Sequence, residues 1–212
     1  RNPLGAISHA GQLLGESEHL NGGDRRMVQI IQDNCQRVDS VIGNVLELSR
    51  RQTRTVRDLP LGGWLRDFAR DLRERHHLLR GQVVIQSHAE EHFVQTDPEQ
   101  LHQVLDILCD NAIRHFDRDP AELVLHLRVE RSSEQAPLRL DIADNGPGIR
   151  ADIAEQVFEP FYSSRRDGTG LGLYIARELA GLNLIRLSLL PSREPGATFR
   201  LSFPAAQPLA AD

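Results

Sequence analysis

The chain has 212 residues, of which 40% are hydrophobic and 26% are charged, a composition typical of one or two ordinary globular domains. The formal net charge of -5 at pH 7 gives no reason to expect nucleic-acid binding. No apolar run approaches the roughly 20 residues that a bilayer-spanning helix needs. We therefore expect a soluble chain, which can still be the cytosolic part of a longer membrane protein.

Residues 1–51 are predicted to form a hairpin of two helices. Apolar residues recur at three- and four-residue steps within 4–14 and again within 27–48, and a polar turn separates the two stretches. Asp24 is the predicted N-cap of the second helix. The apolar stripe is too broad for a two-stranded seam, so we predict dimerisation into a four-helix bundle in which Asn34 fixes the register. Packing of the hairpin on the rest of its own chain is the alternative.

The remaining chain is predicted to contain a linker, one mixed domain and a disordered tail, at 52–60, 61–204 and 205–212. The fold class is α+β, with an antiparallel-leaning sheet and helices on one face, in an α/β sandwich. In chain order we predict a helix over about 62–79, a strand pair at Val83–Ser87 and Phe93–Thr96, a helix starting at Asp97-Pro98, strands at Leu123–Glu130 and Leu138–Ala143, a helix from about Gly172, and strands at Ile185–Leu190 and Thr198–Phe203.

Four short clusters in this domain carry residue types suited to nucleotide chemistry. They are Asp-Asn-Ala-Ile-Arg-His at 110–115, Asp-Asn-Gly-Pro-Gly-Ile at 144–149, Phe-Glu-Pro-Phe-Tyr at 158–162 and Gly-Thr-Gly-Leu-Gly-Leu at 168–173. The last opens a predicted helix, whose unpaired N–H groups and positive dipole end favour phosphate. Taken alone, its glycines fit a plain structural turn equally well.

Asp144 and Asn111 offer two further interactions with a nucleotide. A carboxylate at a strand end can accept a hydrogen bond from the exocyclic amine of adenine, whereas guanine presents a carbonyl there; such a charged bond contributes roughly 1.5–3 kcal/mol. The amide oxygen of Asn111 can ligate Mg²⁺, with phosphate and water completing the shell. A polar hairpin turn is the alternative reading of the Asp144 cluster alone.

Together and in this order, the clusters resemble the N, G1, F and G2 boxes of sensor histidine kinases, whose ATP site is shared with gyrase-type ATPases, Hsp90 chaperones and MutL proteins. The Phe-x-Pro-Phe cluster distinguishes the kinases from the other branches. The resemblance covers about 61–204 and implies a Bergerat-type ATP-binding domain. The runs at 1–10 and 168–179 are most similar to the branch of type IV pilus (PilS-like) and NtrB-like sensor kinases.

By this resemblance, Asn111 binds the magnesium of an ATP–Mg²⁺ complex and Asp144 receives the adenine amine. Residues 150–167 form a mobile ATP lid that Phe158 and Phe161 anchor. The resemblance assigns ATP contacts to Asn111, Arg114, His115, Asp144, Gly146, Gly148, Ile149, Arg165, Arg166, Gly168, Thr169, Gly170, Leu171, Gly172 and, through its hydroxyl, Thr198.

The N-terminal Arg1-Asn2-Pro3-Leu4 resembles the end of the family's phosphoacceptor box, His-Glu-Ile-Arg-Asn-Pro-Leu, so the hairpin is expected to be the dimerisation and phosphotransfer domain. Asn2 matches a position that orients water for dephosphorylation of the partner, with helix capping as the alternative. The acceptor histidine is missing from the chain, and His9 stands in the wrong motif context to replace it. The N box also departs from the family at Ile107, where asparagine is usual; Asp110 or His102 can compensate.

The resemblance implies autophosphorylation on histidine with ATP, transfer to an aspartate of a response regulator, and a phosphatase activity toward that regulator. We expect the partners to be a second copy of the chain and the receiver domain of an enhancer-binding, NtrC-like regulator, with no nucleic acid. The chain is expected to be cytoplasmic, within a parent protein of the bacterial inner membrane. A nucleotide-binding scaffold without catalysis is the alternative, and a gyrase- or chaperone-type ATPase is a third class.

Overall fold

The computed structural model describes residues 2–17, 20–50, 55–87, 92–131, 133, 136–164, 168–191 and 195–204, and for 2, 3, 36, 37 and 39–50 it describes the backbone only. Two compact units are present. The first comprises 1–52 together with 159–171, and the second comprises 53–158 together with 172–212. None of the described helices is both long enough and apolar enough to cross a membrane.

The first unit contains a helical hairpin, with α1 at Asn2–Gly15 and α2 at Gly22–Arg50. Asn21 caps α2, because its Oδ1 accepts the Asp24 N–H at 2.9 Å while the Asp24 carboxylate accepts the Asn21 N–H at 3.3 Å. The prediction of Asp24 as the N-cap was therefore wrong by one turn, since Asp24 is the third helical residue of a reciprocal cap. Asn34 is exposed and donates to the Ile30 carbonyl at 2.7 Å.

The second unit is a mixed sheet with helices packed against it. Its elements are β1 Arg57–Pro60, α3 Leu61–His76, β2 Val83–Ser87, β3 Phe93–Thr96, α4 Pro98–His115, β4 Leu125–Glu130, β5 Arg139–Asp144, α5 Gly172–Leu182, β6 Arg186–Leu189 and β7 Thr198–Ser202. Strands β2, β4, β5, β7 and β6 lie side by side in that order; β2 and β4 are parallel, and the other pairs are antiparallel. Strands β1 and β3 form a separate antiparallel pair.

The predicted α+β class is confirmed, but two details of the prediction were wrong. The segments 83–87 and 93–96 do not pair with each other, because β2 pairs with β4 and β3 pairs with β1. Residues 57–60, which we assigned to the linker, form β1. Both differences arise from pairing partners that lie about 40 residues apart in the chain, which local patterning does not reveal.

The core of the second unit lies between the sheet and α3, α4 and α5. Alternate strand residues such as Leu125, Leu127 and Leu140 are fully buried, as are Leu65 of α3 and Leu105 of α4. The helices contact β2, β5 and β6. This packing places α4 beside the strand that ends at the Asp144 cluster.

Helix α4 begins as the sequence predicts. The Asp97 Oδ1 accepts the backbone N–H groups of Glu99 at 2.9 Å and Gln100 at 3.2 Å, and Pro98 occupies the first helical position. Proline is suited to this position because its missing N–H would be unpaired there in any case. The N-cap prediction at Asp97 is confirmed.

Candidate nucleotide-binding site

The carboxylate of Asp144, the last residue of β5, is fixed by two backbone donors. Its Oδ1 accepts the Gly146 N–H at 2.8 Å and the Ala197 N–H at 3.2 Å. The Asp144 N–H in turn donates to the Ala197 carbonyl at 3.0 Å. Both of these bonds from other residues go to Oδ1 and neither uses Oδ2. One carboxylate oxygen therefore holds the turn together and the other can accept a hydrogen bond from a ligand.

Burial raises the pKa of the Asp144 carboxyl, and the hydrogen bonds from the Gly146 and Ala197 N–H groups, together with the charge of His115, oppose this rise. The ionised form is thus partly desolvated and gains from any further donor that reaches it. An amine that donates to Oδ2 would supply such a bond.

Three glycines allow the backbone to close around Asp144. A Cβ on Gly196 would lie 1.8 Å from the Asp144 carbonyl oxygen, and Gly196 has a φ of +109°. Gly148 has a φ of +78°, and a Cβ there would lie 2.9 Å from the Gly196 carbonyl oxygen. A Cβ on Gly146 would lie 2.9 Å from Asp144 Oδ1. Only glycine fits these positions without displacing backbone or carboxylate.

Gly196 was missed by the sequence analysis, which singled out only Thr198 from this part of the chain. The available signal was a glycine two residues before a predicted strand. Thr198 is the first residue of β7, pairs with Ala143 of β5 and is half-buried. Its proposed support of the adenine side through the hydroxyl stays a prediction.

Phe116 is a second residue that the sequence analysis missed. Helix α4 ends at His115, and Phe116 follows in an extended conformation with φ -67° and ψ 125°. Its ring lies 3.7 Å from the position of a Cβ on Gly146. The Arg118 guanidinium lies over this ring, 5.0 Å from its centroid, and donates to the Asn145 carbonyl. Phe116 therefore borders the Asp144 turn, whereas the side chain of His115 is exposed.

The side chain of Asn145 joins the same turn to the connection that follows α4. Its Oδ1 accepts the Val124 N–H at 2.9 Å, and its Nδ2 donates to the Glu122 carbonyl at 2.8 Å. The segment from Phe116 to Val124 is thereby held against the turn at both of its ends. We expect this connection to form a fixed wall of the site.

Asn111 lies half-buried near the end of α4, one turn beyond Ile107. The Ile107 Cγ2 lies 3.4 Å from the position of a Cβ on Gly172, the first residue of α5. The start of α5 is thus packed beside Asn111, and its free N–H groups form an end that favours phosphate. Ile107 fills the helix contact and offers no metal ligand.

The two residues considered as substitutes for the missing N-box asparagine are engaged elsewhere. His102 Nδ1 lies 3.0 Å from Asp106 Oδ2, and Asp106 also pairs with Arg75 of α3. His76 Nε2 lies 2.9 Å from Asp110 Oδ1, an ion-pair distance without hydrogen-bond alignment. That Asp110 or His102 compensates for Ile107 in the metal shell stays a prediction. The described part of the chain contains no cluster of three or more His, Cys, Asp or Glu side chains placed to bind a metal.

The glycine cluster divides between the two units. Gly168, Thr169, Gly170 and Leu171 belong to the first unit, where the Thr169 Oγ1 accepts the Leu171 N–H at 3.4 Å. Gly170 has a φ of +68°, and a Cβ there would lie 2.4 Å from the carbonyl carbon of Phe161. Gly170 is therefore required for the close approach to the F-box backbone.

The two predicted lid anchors differ. Phe158 is buried, with an edge-to-face contact to Phe199 at 6.1 Å and the Arg177 guanidinium 5.4 Å from its ring centroid. Phe161 is 66% exposed and has a φ of +69°. The Phe161 side chain is thus largely exposed, while its backbone lies against Gly170; its role as a lid anchor stays a prediction.

The other predicted site residues are placed as follows. Arg114 is exposed in the last turn of α4, and Ile149 is half-buried directly after Gly148. Asn2 lies at the start of α1, but its side chain is outside the described part. Arg165, Arg166 and the tail at 205–212 are also outside the described residues.

The described groups fit a purine nucleotide and one bound cation. Asp144 offers an unused acceptor within a turn that only glycine can form, and the start of α5 offers backbone donors. Asn111 offers one amide oxygen, which suffices for Mg²⁺ when phosphate oxygens and water supply the other ligands. A strongly chelating, all-protein metal cage is not formed by the described residues.

Comparison with known proteins identifies both parts of the chain. Residues 96–207 match the family described as histidine kinase-, DNA gyrase B- and HSP90-like ATPases, and residues 1–54 match the His Kinase A (phospho-acceptor) domain. The sensor protein kinase PilS of Pseudomonas aeruginosa is 42% identical over 205 residues, which are 96% of this chain and 38% of that protein. The chain thus spans well under half of this relative's length.

Solved structures share the fold. The histidine kinase ThkA in complex with the response regulator protein TrrA has a TM-score of 0.67 at 20% identity over 97% of this chain and 58% of that one. Full-length ShkA in complex with AMPPNP has a TM-score of 0.65 at 23% identity over 99% of this chain and 44% of that one. Because these identities are low, the two structures support the fold alone.

Proposed function

This chain belongs to the sensor histidine kinases, and we propose that it is the ATP-dependent kinase core of a longer two-component sensor protein. The observation that carries the proposal is the Asp144 carboxylate, which is fixed through one oxygen and open at the other. This arrangement suits an adenine amine. Guanine, which presents a carbonyl at that position, would leave a buried acceptor unpaired.

We assign the triphosphate to the region between Asn111 and the start of α5. The backbone N–H groups at the start of α5, from Gly172, would contact phosphate oxygens, and Asn111 would hold Mg²⁺, which supplies positive charge to the triphosphate. Arg114 and the lid residues Arg165 and Arg166 would add guanidinium donors. Positioning and charge neutralisation supply most of the catalysis in phosphoryl transfer.

The proposed reaction needs a neutral histidine that this chain does not contain in the expected context. An imidazole nitrogen would bond to the γ-phosphorus while the bond from phosphorus to the bridging oxygen breaks, and ADP would leave with the electron pair. The phosphoryl group would then pass to an aspartate of a response regulator. In the separate phosphatase reaction, Asn2 would position a water that attacks the phosphorus of the regulator's aspartyl phosphate, so that the bond to the carboxylate oxygen breaks and inorganic phosphate leaves.

We also propose that the hairpin forms a homodimer. Side chains of Ile7, Leu13, Met27 and Ile30 are at least half exposed in the single chain. Such a face is expected to be covered by a second copy in a four-helix bundle. The expected regulator is an enhancer-binding, NtrC-like protein, and the parent protein is expected in the bacterial inner membrane with this part on the cytoplasmic side.

The test combines binding with phosphate transfer. Calorimetry should detect ATP and ADP binding in Mg²⁺, with GTP at least tenfold weaker. With γ-³²P-ATP, the chain alone should remain unlabelled, whereas a chain extended to include His-Glu-Ile before Arg1 should acquire acid-labile label. Stable label on His9, or equal binding of GTP and ATP, would contradict the proposal.

A non-catalytic nucleotide-binding scaffold remains the second candidate because Ile107 occupies the place of a usual N-box asparagine. If the scaffold reading is right, ADP affinity should be unchanged when EDTA removes Mg²⁺. The kinase reading expects Mg²⁺ to strengthen binding through Asn111, and an Asn111→Ala variant should lose that strengthening.

A further inference from the structure

Asn183, the residue after α5, is a buried side chain whose hydrogen-bonding positions are all used. Its Nδ2 donates to Gln100 Oε1 at 2.7 Å and to the Leu179 carbonyl at 2.9 Å. Its Oδ1 accepts the Asp97 N–H at 2.8 Å and the Thr96 hydroxyl at 3.1 Å. A primary amide has two donor hydrogens and two acceptor lone pairs, so Asn183 is saturated. It joins the end of α5 to the start of α4.

Asp97 extends this network to the segment by which the chain enters the second unit. One carboxylate oxygen, Oδ1, caps α4, while the other, Oδ2, accepts the Thr55 N–H at 2.7 Å. Asp97 is only 6% exposed. Thr55 comes two residues before β1 and lies within 52–60, the segment that we predicted to be the linker between hairpin and catalytic domain. We call Thr55, Thr96, Asp97, Gln100 and Asn183 the junction.

The junction lies at the end of the α4–α5 pair opposite to the candidate nucleotide residues. At one end Asn183 bonds to Asp97 and Gln100; at the other, Gly172 packs against Ile107, one turn before Asn111. The two helices are therefore antiparallel and fastened at both ends. Because a helix transmits tilt along its length, a change in their mutual angle at the nucleotide end must be accommodated at the junction.

We propose that the Thr55–Asp97 hydrogen bond couples the entering segment to nucleotide affinity, with Asp97 and Asn183 as positioning residues. This rests on the proposed function, because it assumes that nucleotide binds at Asn111 and the start of α5. The intact bond holds the helix pair in the arrangement that binds nucleotide. A pull on the segment before Thr55 would break the bond and weaken binding.

Thermodynamic linkage makes this coupling reciprocal. If breaking the Thr55–Asp97 bond weakens ADP binding by a given factor, ADP binding must strengthen that bond by the same factor. Couplings between sites are typically 5- to 150-fold. ADP binding also raises the protection of core amides that exchange through global unfolding, such as that of Leu127. The coupling is therefore read from Thr55 where it exchanges through local opening, with a smaller rise than at those core amides.

The experiment uses the whole chain and two variants that remove the bond in different ways. Asp97→Asn keeps an oxygen for the α4 cap, since asparagine is a good N-cap, but presents an N–H₂ group to Thr55. Thr55→Pro removes the donor itself, and Thr55→Ala is the matched control that keeps the backbone N–H. Calorimetry gives the Kd for ADP, and amide hydrogen exchange by NMR gives the protection of Thr55 with and without ADP.

We expect Asp97→Asn and Thr55→Pro each to raise the Kd for ADP about fivefold or more, and Thr55→Ala to leave it unchanged. The double variant should bind no more weakly than the weaker single variant, because both remove one bond. Saturating ADP should raise the hydrogen-exchange protection of the Thr55 amide. The factor should equal the factor by which Asp97→Asn raises the Kd for ADP.

Unchanged Thr55 protection on ADP binding, or wild-type affinity in both variants, would overturn the coupling and leave the proposed function intact. Failure of the wild-type chain to bind ADP would overturn the proposed function and the coupling together. A variant that does not fold is recognised by its melting curve, and the exchange measurement on the wild-type chain then decides alone.

Discussion

Replacing Asp144 by asparagine should weaken nucleotide binding and leave the fold at least as stable. Asparagine keeps an oxygen that can accept the Gly146 and Ala197 N–H groups, but it presents N–H₂ where the adenine amine is expected to donate. The lost bond is charge-assisted and contributes roughly 1.5–3 kcal/mol, which corresponds to a roughly 10- to 150-fold rise in Kd for ATP.

The effect on stability has the opposite sign. Burial raises the pKa of the Asp144 carboxyl in the folded state, so the folded chain binds this proton more tightly than the unfolded chain does. Stability is therefore lost as pH rises from the unfolded pKa through the folded pKa, and the loss is complete once pH exceeds the folded pKa. Because asparagine carries no charge, the variant escapes this loss. Its Tm relative to wild type should rise as pH increases through that window.

The assay is calorimetric titration of ATP at pH 7.5, together with thermal melts at several values from pH 4.5 to pH 8. Asp144→Ala is the matched control, because it removes the acceptor of both backbone N–H groups and should lower stability by about 1–3 kcal/mol. Wild-type ATP affinity in Asp144→Asn would refute the assigned contact. A Tm clearly below wild type at pH 7.5 would refute the argument from burial.

Three further changes test the site and its surroundings. Gly196→Ala should lower the Tm by several degrees and abolish ADP binding in calorimetry, because its Cβ would overlap the Asp144 carbonyl oxygen at 1.8 Å; wild-type binding would show that the turn relaxes freely. Phe116→Ala should raise the Kd for ADP more than His115→Ala does, since the Phe116 ring borders the turn; the reverse order in calorimetry would favour His115 as the ring that contacts the nucleotide. Leu184→Gly should stabilise the chain by about 1 kcal/mol in urea unfolding, because Leu184 has a φ of +59° and glycine adopts this conformation without strain; an unchanged midpoint would mean that the leucine side chain compensates.

Local signals in the sequence predicted the elements well, and nonlocal geometry was the part they missed. The start of α4 follows from Asp97 and Pro98, which act within one turn. The partner of β2 does not, because it is a parallel strand about 40 residues later in the chain. Nothing in the local pattern of 83–96 distinguishes a hairpin from two strands with separate partners.

The candidate site shows the same division. Asp144 and Asn111 were found because each stands in a recognisable local cluster, and their neighbours Gly146 and Gly148 came with them. Gly196 was missed since its need for a positive φ arises from the Asp144 carbonyl, more than 50 residues earlier in the chain. Phe116 was missed because its direction depends on the helix ending one residue before it.

The place of β7 in the sheet has a consequence for synthesis of the protein on the ribosome. This last strand lies between β5 and β6, and the residues just before it supply Gly196 and the Ala197 bonds to Asp144. Until these residues have left the ribosome, the nascent chain lacks the strand between β5 and β6. It also lacks half of the turn around Asp144. If nucleotide binds at the Asp144 turn as we propose, it should bind only after β7 has inserted, and cellular ATP would selectively stabilise chains whose translation through this strand is finished.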